Sequence, residues 1–332
     1  MNKIRILITG SEGFLGCALS DKLVQSLIKI KKKYEIFFLD KKEPNFSNKL
    51  IKFYQNKSED LFLNNIQKDL IETNLESDIG RFDIIIHLAA LIDATESVSN
   101  PFDYYKNNLE TTKNLLKCVE VNGSFIFASS AAVYGIPNKV PSSEFDEIKS
   151  ITPYGETKIL AEKEIINYKG VNKFNYQILR FFNIAGSYKG KVLDSNPNFH
   201  KNLFSQIRNS LSKNEKFIID GSNYVTKDGT CERDFVEIEW LSTFLSKLII
   251  NSINQGSFIT NVGCGAPISI LQLAKALSKI NPNFSFDIGE PRQVEIPRSY
   301  ADIKVLLKIL RVLNEDPPPL DVNTIVKSIS VL

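Results

Sequence analysis

The sequence predicts an α/β fold: a doubly wound parallel sheet with helices on both faces, followed by a smaller mixed α/β lobe. Three observations predict it. Short runs rich in β-branched and aromatic residues alternate with amphipathic helical runs, with a repeat of about 30 residues through the first half of the chain. The first strand-like run passes through a glycine-rich turn straight into a helical run. The rhythm then breaks after Asn183, and the later elements are irregular.

The elements follow in order. "IRILIT" (4–9) is a buried strand, and "FLGCALSDKLVQSLIKI" (14–30) has helical spacing. "YEIFFLD" (34–40) is a second strand, "LFLNNIQKD" (61–69) a weaker third and "FDIIIHLAA" (82–90) a fourth. "PFDYYKNNLETTKNLLKCVEV" (101–121) opens with proline at a helix start and runs amphipathic, so a helix is expected over all of it. "SFIFASS" (124–130) is a fifth strand, residues 154–168 are helical, and "YQILRFFN" (176–183) is a sixth strand. "IAGSYKGKVLDSNPNFH" (184–200) reads as loop. Beyond it, helices are expected over 232–251 and 269–280, with a strand at 257–263.

Composition narrows the class. Of 332 residues, 43% are hydrophobic and 24% charged, enough apolar material for a packed core. The net charge is +3 with the positive residues scattered, and "IKKKY" (30–34) reads as a solvated helix end, so no nucleic-acid partner is expected. No apolar run reaches about 18 residues, so no membrane span is expected. The N-terminal "MNKIRILITG" reads as a first strand rather than a signal peptide, and a cytoplasmic chain is expected. Cys17, Cys118, Cys231 and Cys264 lie far apart without a CxxC pair, the pattern of free thiols in a reducing compartment. His87 and His200 are the only histidines, and neither sits beside a partner motif. No metal site is expected, and proton chemistry falls to tyrosine, lysine or carboxylates.

The first strand runs into "TGSEGFLG" (9–16), where Gly10, Gly13 and Gly16 repeat as G-x-x-G-x-x-G. Such a turn, set between a strand and a helix, points free N–H groups and the positive helix end at a pyrophosphate. The second strand ends in Asp40, where a carboxylate holds adenosine ribose hydroxyls and repels a 2′-phosphate. NAD is therefore favoured over NADP, although Lys41 and Lys42 follow and pull the other way.

"PYGETK" (153–158) places Tyr154 and Lys158 four residues apart, on one face of a helix. A phenol titrates near about 10, too high for a good base at neutral pH. A neighbouring ammonium is expected to lower it. Ser130 ends the fifth strand, where an open α/β sheet places its ligands, and is positioned to hydrogen-bond the same substrate oxygen.

With the glycine loop, Ser130, Tyr154 and Lys158 in place, the chain resembles the extended short-chain dehydrogenases/reductases. "HLAALIDATESVSNPFDYYKNN" (87–108), "FASSAAVYG" (127–135), "LRFFNIAG" (179–186) and "KDGTCERDFVEI" (227–238) narrow the resemblance to the UDP-galactose 4-epimerase family, from the first strand to about residue 305. The resemblance implies a Rossmann-type NAD domain over 1–183, with 231–262 packing back onto it, and a UDP-sugar lobe from 184–230 and 263–332. It implies that NAD lies against Gly10, Gly13, Phe14, Leu15, Gly16 and Asp40, with Asp69 and Leu70 at the adenine. Leu88, Ala89, Ala90, Asn107, Ser129 and Phe181 would line the cofactor, and Lys158 would hold the nicotinamide ribose. For the substrate it implies Asn183 at the phosphates, Asn202 and Leu203 flanking the uridine diphosphate, and Arg233 and Arg292 gripping the diphosphate. Glu295 would reach the uridine ribose, where the family more often has aspartate. A homodimer is implied too.

Three departures bear on the substrate rather than on the chemistry. Ile92 stands where these epimerases often carry a cofactor-contacting lysine; Phe235, Val236 and Glu237 replace a Tyr-Ile-His run; and "RQVE" (292–295) replaces Arg-Glu-Gly-Asp. After Ser130 come Ala131 and Ala132, where related dehydratases place an Asp-Glu pair and decarboxylases a glutamate. Oxidation at C4 and return of the hydride to the opposite face is therefore expected. In the resembling epimerases the position of Ser299, before Tyr300-Ala301-Asp302, stands beside the sugar C2, and a small residue there leaves space. The resemblance therefore implies UDP-N-acetylglucosamine/galactosamine and UDP-glucose/galactose as substrates. An epimerase of another UDP-sugar, a nucleotide-sugar reductase and a non-catalytic dinucleotide sensor are the alternatives.

Overall fold

The computed structural model describes residues 3–71, 75–189, 203–292 and 295–330. The chain runs β1 (Ile4–Thr9), α1 (Phe14–Leu27), β2 (Tyr34–Asp40), α2 (Asn45–Tyr54), β3 (Leu61–Gln67), α3 (Leu75–Ile79), β4 (Phe82–His87), α4 (Ala94–Ser99) and α5 (Pro101–Tyr104). A π-turn (Tyr105–Leu109) leads into α6 (Glu110–Leu116), β5 (Val119–Ser130), a 3-10 turn (Ala131–Tyr134), α7 (Pro153–Val171), β6 (Asn175–Phe181) and β7 (Asn183–Ala185). Then come α8 (Leu203–Lys213), β8 (Phe217–Asp220), β9 (Glu232–Arg233), β10 (Phe235–Glu237), α9 (Ile238–Asn251) and β11 (Phe258–Val262). The chain closes with β12 (Ile268–Ser269), α10 (Ile270–Ile280), β13 (Phe286–Gly289), β14 (Arg298–Ser299), α11 (Lys304–Leu313) and α12 (Val322–Ser330).

Two compact units result: Met1–Val133 with Ile148–Arg180 and Ser242–Thr260, and Tyr134–Glu147 with Phe181–Leu241 and Asn261–Leu332. The first is built on a seven-stranded sheet of order β11-β6-β5-β4-β1-β2-β3. The pairings from β3 through β5 are parallel. Parallel strands need long crossovers, and these are supplied by the helices between them. Ile6, Leu7 and Ile8 of β1 have no exposed surface, as a central strand covered on both faces requires. Leu7, Ile85, Phe125, Phe127, Ile165 and Ile178 join strands and α7 in one apolar cluster. The strand order reverses beside β1, so the carboxyl ends of β1 and β4 diverge into loops there, the place where open α/β sheets bind ligands.

The second unit carries three small sheets, β10-β7, β12-β9-β14 and β13-β8. Its core gathers Phe217, Phe235, Leu273, Leu277, Phe284 and Ile325.

Two expected helices are shorter than their periodicity suggested. The run expected to be helical over 101–121 ends at Leu116, and β5 already begins at Val119. The reason is long-range: Val119 pairs with Phe82 of β4. Likewise, residues 232–237 are strand, and helix begins only at Ile238. Glu232 and Arg233 pair with β12 and β14, while Phe235 to Glu237 pair with β7. Glu237 then turns the chain into α9, its carboxylate accepting from the Trp240 backbone N–H at 2.8 Å. That cap gives this departure from the family pattern a local structural role. Residues 190–200 of the expected loop, and the departure at Gln293 and Val294, lie outside the described residues.

Candidate active site

The glycine turn is an interlock. Gly10 has φ +70°, and a side chain on Gly16 would put its Cβ 2.0 Å from the Gly10 carbonyl oxygen, so α1 starts hard against the end of β1. Gly13 is the N-cap of α1, and neither a capping side chain nor an acid in the first turn meets the free N–H groups there. A helix end without such partners is a ready anion site, and these half-buried residues therefore fit the pyrophosphate of a dinucleotide. Phe14 and Leu15 open that helix.

Around the turn, Asp40 accepts from the Glu12 and Lys42 backbone N–H groups, each at 3.0 Å. Asp69 accepts from Ile71 N–H at 3.1 Å, and the Leu70 carbonyl accepts from the Asn114 amide at 3.0 Å. Leu88, Ala89 and Ala90 follow β4 half-buried, with Ala89 N–H donating to Thr9 Oγ1 at 3.3 Å. Phe181 ends β6, buried. Ile92 is half exposed.

Ser130, Tyr154 and Lys158 come together in the first unit. Thr152 caps α7, its hydroxyl accepting from Gly155 N–H at 3.2 Å, and Pro153 holds the first helical position. Gly155 lets that helix start approach the turn after β5: a Cβ there would lie 2.1 Å from Ser150 Oγ and 2.6 Å from the Ala132 carbonyl. The Tyr154 phenol is thereby brought beside Ser130, close enough for the hydroxyl to lower its pKa, and its ring packs edge-on against Tyr104 at 6.4 Å. One turn on, Lys158 Nζ donates to the Ala128 carbonyl at 2.8 Å and lies 4.8 Å from the Phe127 ring centroid.

The expected effect of lysine on tyrosine is not what the chain alone provides. Burial pushes the Tyr154 phenol up from its ordinary value, and only the Ser130 hydrogen bond pulls it back. Burial pulls the Lys158 ammonium down to about 7, against the opposing field of Glu162. The reason is geometric: the ammonium is engaged by a strand carbonyl and lies 5.9 Å from the Tyr154 ring centroid. Desolvation of both groups outweighs their interaction.

Three supports have partners too distant in sequence to be read from spacing. Glu162, one turn beyond Lys158, is buried and forked by Arg180, with Nε to Oε1 at 3.0 Å and Nη2 to Oε2 at 2.7 Å. Ser129 Oγ donates to the same Oε1 at 2.5 Å. Asn108, not its neighbour Asn107, ties the loop after β4 to α7: Oδ1 accepts from Leu91 N–H at 2.8 Å, and Nδ2 donates to Thr157 Oγ1 at 3.0 Å. Asn107 Nδ2 donates to the Asp103 carbonyl at 2.8 Å inside the π-turn, an irregularity frequent at functional sites. Two adjacent asparagines inside a helical run were the available signal.

The second unit gathers the residues expected at the diphosphate. Arg233 Nη2 meets Glu295 Oε1 at 2.7 Å, and Arg292 meets Glu295 Oε2 at 3.4 Å and Asp220 Oδ2 at 2.5 Å. Glu295 thus lies between the two arginines. Ser299 pairs in register with Arg233. Between these strands Asp234 is fully buried, accepting from the N–H groups of Cys264, Gly265 and Ala301. Its carbonyl accepts from both the backbone and the side-chain amide of Asn183, at 3.0 and 3.2 Å. Asp234 is the third support, and it fixes Asn183, Arg233 and Ser299 together. Leu203 opens α8 and packs against the core of the second unit, and Asn202 lies outside the described residues.

This geometry can be set beside known proteins. The NAD dependent epimerase/dehydratase family matches over residues 6–263. The chain belongs to that family. A UDP-glucose 4-epimerase of Caenorhabditis elegans is 32% identical over 324 residues, covering 90% of each chain. Among solved structures, a UDP-glucose 4-epimerase from Bifidobacterium longum, in complex with NAD+ and UDP, is 25% identical with a TM-score of 0.80, covering 98% of this chain and 97% of that one. The UDP-Glc/GlcNAc 4-epimerase of Campylobacter jejuni is 28% identical with a TM-score of 0.77, covering 98% of each chain. The family's NAD dependence agrees with the open N-terminus of α1.

Proposed function

We propose that this chain is an isomerase, an NAD-dependent UDP-sugar 4-epimerase. Tyr154 takes the proton from the sugar 4-hydroxyl, Ser130 holds the same oxygen, and Lys158 binds the nicotinamide ribose. NAD bound against residues 9–16 would supply a reversible hydride acceptor for C4. Arg233 and Arg292 would keep the diphosphate held while the sugar presents its other face, so that C4 is restored with inverted configuration.

One observation carries the choice of reaction. The turn that follows Ser130 presents Ala131 and Ala132, neither of which moves a proton. Elimination of water and decarboxylation both need a second acid/base there. Oxidation followed by re-reduction does not.

The diphosphate is assigned to Arg233 and Arg292, with Glu295 on the uridine ribose and Asn183, Asn202 and Leu203 alongside. The domain division over 1–183, 231–262, 184–230 and 263–332 belongs to the same reading. Ser299 in place of a bulky residue supports UDP-N-acetylglucosamine and UDP-N-acetylgalactosamine as substrates, with UDP-glucose and UDP-galactose also accepted. The four cysteines are buried and none is in a disulfide, which supports a reducing, cytoplasmic setting. A homodimer is supported by Val98 on α4 and Phe102 on α5, exposed at 62% and 76%. Light scattering that gave a monomer mass would remove that part.

Incubation of the purified protein with a panel of UDP-sugars, followed by chromatography, tests the reading. Conversion of a UDP-hexose to its C4 epimer without net change at the NADH absorbance is the expected result. Net consumption of added NADH or NADPH, with release of the oxidised dinucleotide and a reduced sugar nucleotide, would favour a reductase instead, and conversion of uronic acids or pentoses alone would move the substrate.

A further inference from the structure

Two helix N-termini lie beside the glycine turn, and they are treated in opposite ways. That of α1 is left without any side-chain cap or acid. That of α2 also lacks both among its own residues, its N-cap being Pro44. Yet it is filled from outside. Glu12, a residue of the turn itself, is only 6% exposed and sends its carboxylate there. Oε2 accepts from Phe46 N–H at 2.8 Å, while Oε1 accepts from Ser47 N–H at 2.9 Å and from Ser47 Oγ at 2.6 Å. The backbone N–H of Glu12 donates to Asp40 Oδ2 at 3.0 Å, so the residue that fills α2 is itself anchored to the carboxylate that ends β2.

A 2′-phosphate on the adenosine ribose needs what any phosphate needs: converging N–H donors, a hydroxyl, and a positive helix end. The start of α2, following directly on the strand that ends in Asp40, offers all three. A carboxylate already consumes them. Lys41 and Lys42 do not reverse this, because Lys41 is exposed and Lys42 only half-buried, and solvent and salt screen such charges. Glu12 is buried and is screened far less.

We propose that Glu12 is a second specificity-determining residue for the dinucleotide, acting with Asp40 to exclude a 2′-phosphorylated cofactor by occupying the N-terminus of α2. This rests on the reading that a dinucleotide lies on residues 9–16. The exclusion is partly Coulombic and partly a matter of occupied donors, so it differs from the repulsion by Asp40 alone.

The test is a competition on the holoprotein. Wild type, Glu12→Gln and Glu12→Ala are each incubated with equal excess NAD and NADP, desalted, denatured, and the released dinucleotides quantified by chromatography. Wild type releases NAD almost exclusively. Both variants release NADP in a ratio to NAD raised at least about tenfold, the scale of one like charge removed at a partly solvated site, with Glu12→Ala the larger because it frees the donors. Glu12→Gln keeps the shape and carries the test alone if Glu12→Ala does not fold. An unchanged ratio with NAD still bound overturns the role of Glu12 and reduces it to a tether for α2; a tether lost would lower both dinucleotides together. Release of no dinucleotide from wild type would instead take down the cofactor reading itself, and this proposal with it.

Discussion

At the scale of single residues, Tyr154 is a phenol that its own surroundings keep protonated. Burial raises it, and the same burial draws Lys158 down to about 7, so the chain alone does not make a phenolate–ammonium pair. The proposed role of Tyr154 as the base therefore needs charge from outside the chain. Tyr154→Phe is expected to lower turnover by about two to four orders while UDP-sugar affinity by calorimetry stays within a few-fold, the size usual for a general base. Near-normal turnover in that variant would remove the residue from the chemistry. Ser299 sits on a strand whose backbone is fixed independently, its carbonyl accepting from Asp234 N–H at 3.1 Å. Ser299→Tyr therefore changes the side chain and leaves the strand in place. It should cut turnover of N-acetyl substrates by about a hundredfold and spare the plain hexoses, a steric selection that comparative assays would read directly. Equal losses on both would show that the position is not a gate. The placement of Tyr154 and Lys158 on one helix face, and of Ser130 at a strand end, was legible because each follows from spacing within one contiguous stretch. Glu12, Asn108 and Asp234 were not, because Ser47, Thr157 and Ala301, which give them meaning, lie far along the chain.

At the scale of elements, α7 decides whether Ser130 and Tyr154 meet. Two glycines on this one helix make opposite predictions. A Cβ on Gly155 would collide with Ser150 Oγ and the Ala132 carbonyl, whereas nothing lies within 4 Å of one on Gly170. Gly155→Ala should therefore destabilise the protein by about 1–3 kcal/mol, as overpacking does. It should also depress turnover more than substrate affinity, because the helix start must back away from Ser130. Gly170→Ala should be neutral to stabilising by up to about 1 kcal/mol, with full activity. Urea titrations and initial rates on the pair would check both signs, and a loss of activity shared equally by the two would refute the packing account. Elements were legible where the pattern is local, as in the strands at 4–9 and 34–40. They were misread at 119–121 and 232–237, where apolar residues in helical phase are recruited as strand by partners elsewhere in the chain. Strand preference is largely a matter of who sits alongside, and local sequence does not contain that.

At the scale of the whole molecule, the shifted titratable groups set a window of stability, the buried ones most strongly. On the alkaline side, Lys158 is protonated more readily unfolded than folded, so stability rises with pH from about 7 towards its ordinary 10.5. The thiol of Cys118, pushed by burial from 9.0 to about 12, acts oppositely, since the unfolded chain loses that proton first and stability falls above 9.0. On the acid side, Asp78, Asp146, Asp228 and Asp302 are held below their ordinary 3.8 and give up stability only as pH falls below that value. Asp234, raised by burial, works against the acid loss, because its folded form takes up a proton first. The interval above these carboxylates belongs to His87. It ends β4 beside Thr9 of β1, buried, bonded from Nδ1 to Thr9 Oγ1 at 2.9 Å and from Nε2 to Thr112 Oγ1 at 3.2 Å, and desolvation with the nearby Lys158 charge pulls it down from 6.5 to about 3. The unfolded chain binds that proton below 6.5 and the folded chain does not, so stability is lost as pH falls from 6.5 towards 3. One such proton gives a slope of up to about 1.4 kcal/mol per pH unit. His87→Gln can still bond either threonine but cannot take up the proton. Urea unfolding free energies between pH 7 and about 4 should therefore fall less steeply in the variant than in the wild type, by the slope of one proton. Parallel slopes for the two proteins would mean that His87 takes up its proton in the folded state as easily as in the unfolded one, and that the neutral imidazole is not what the fold has to protect.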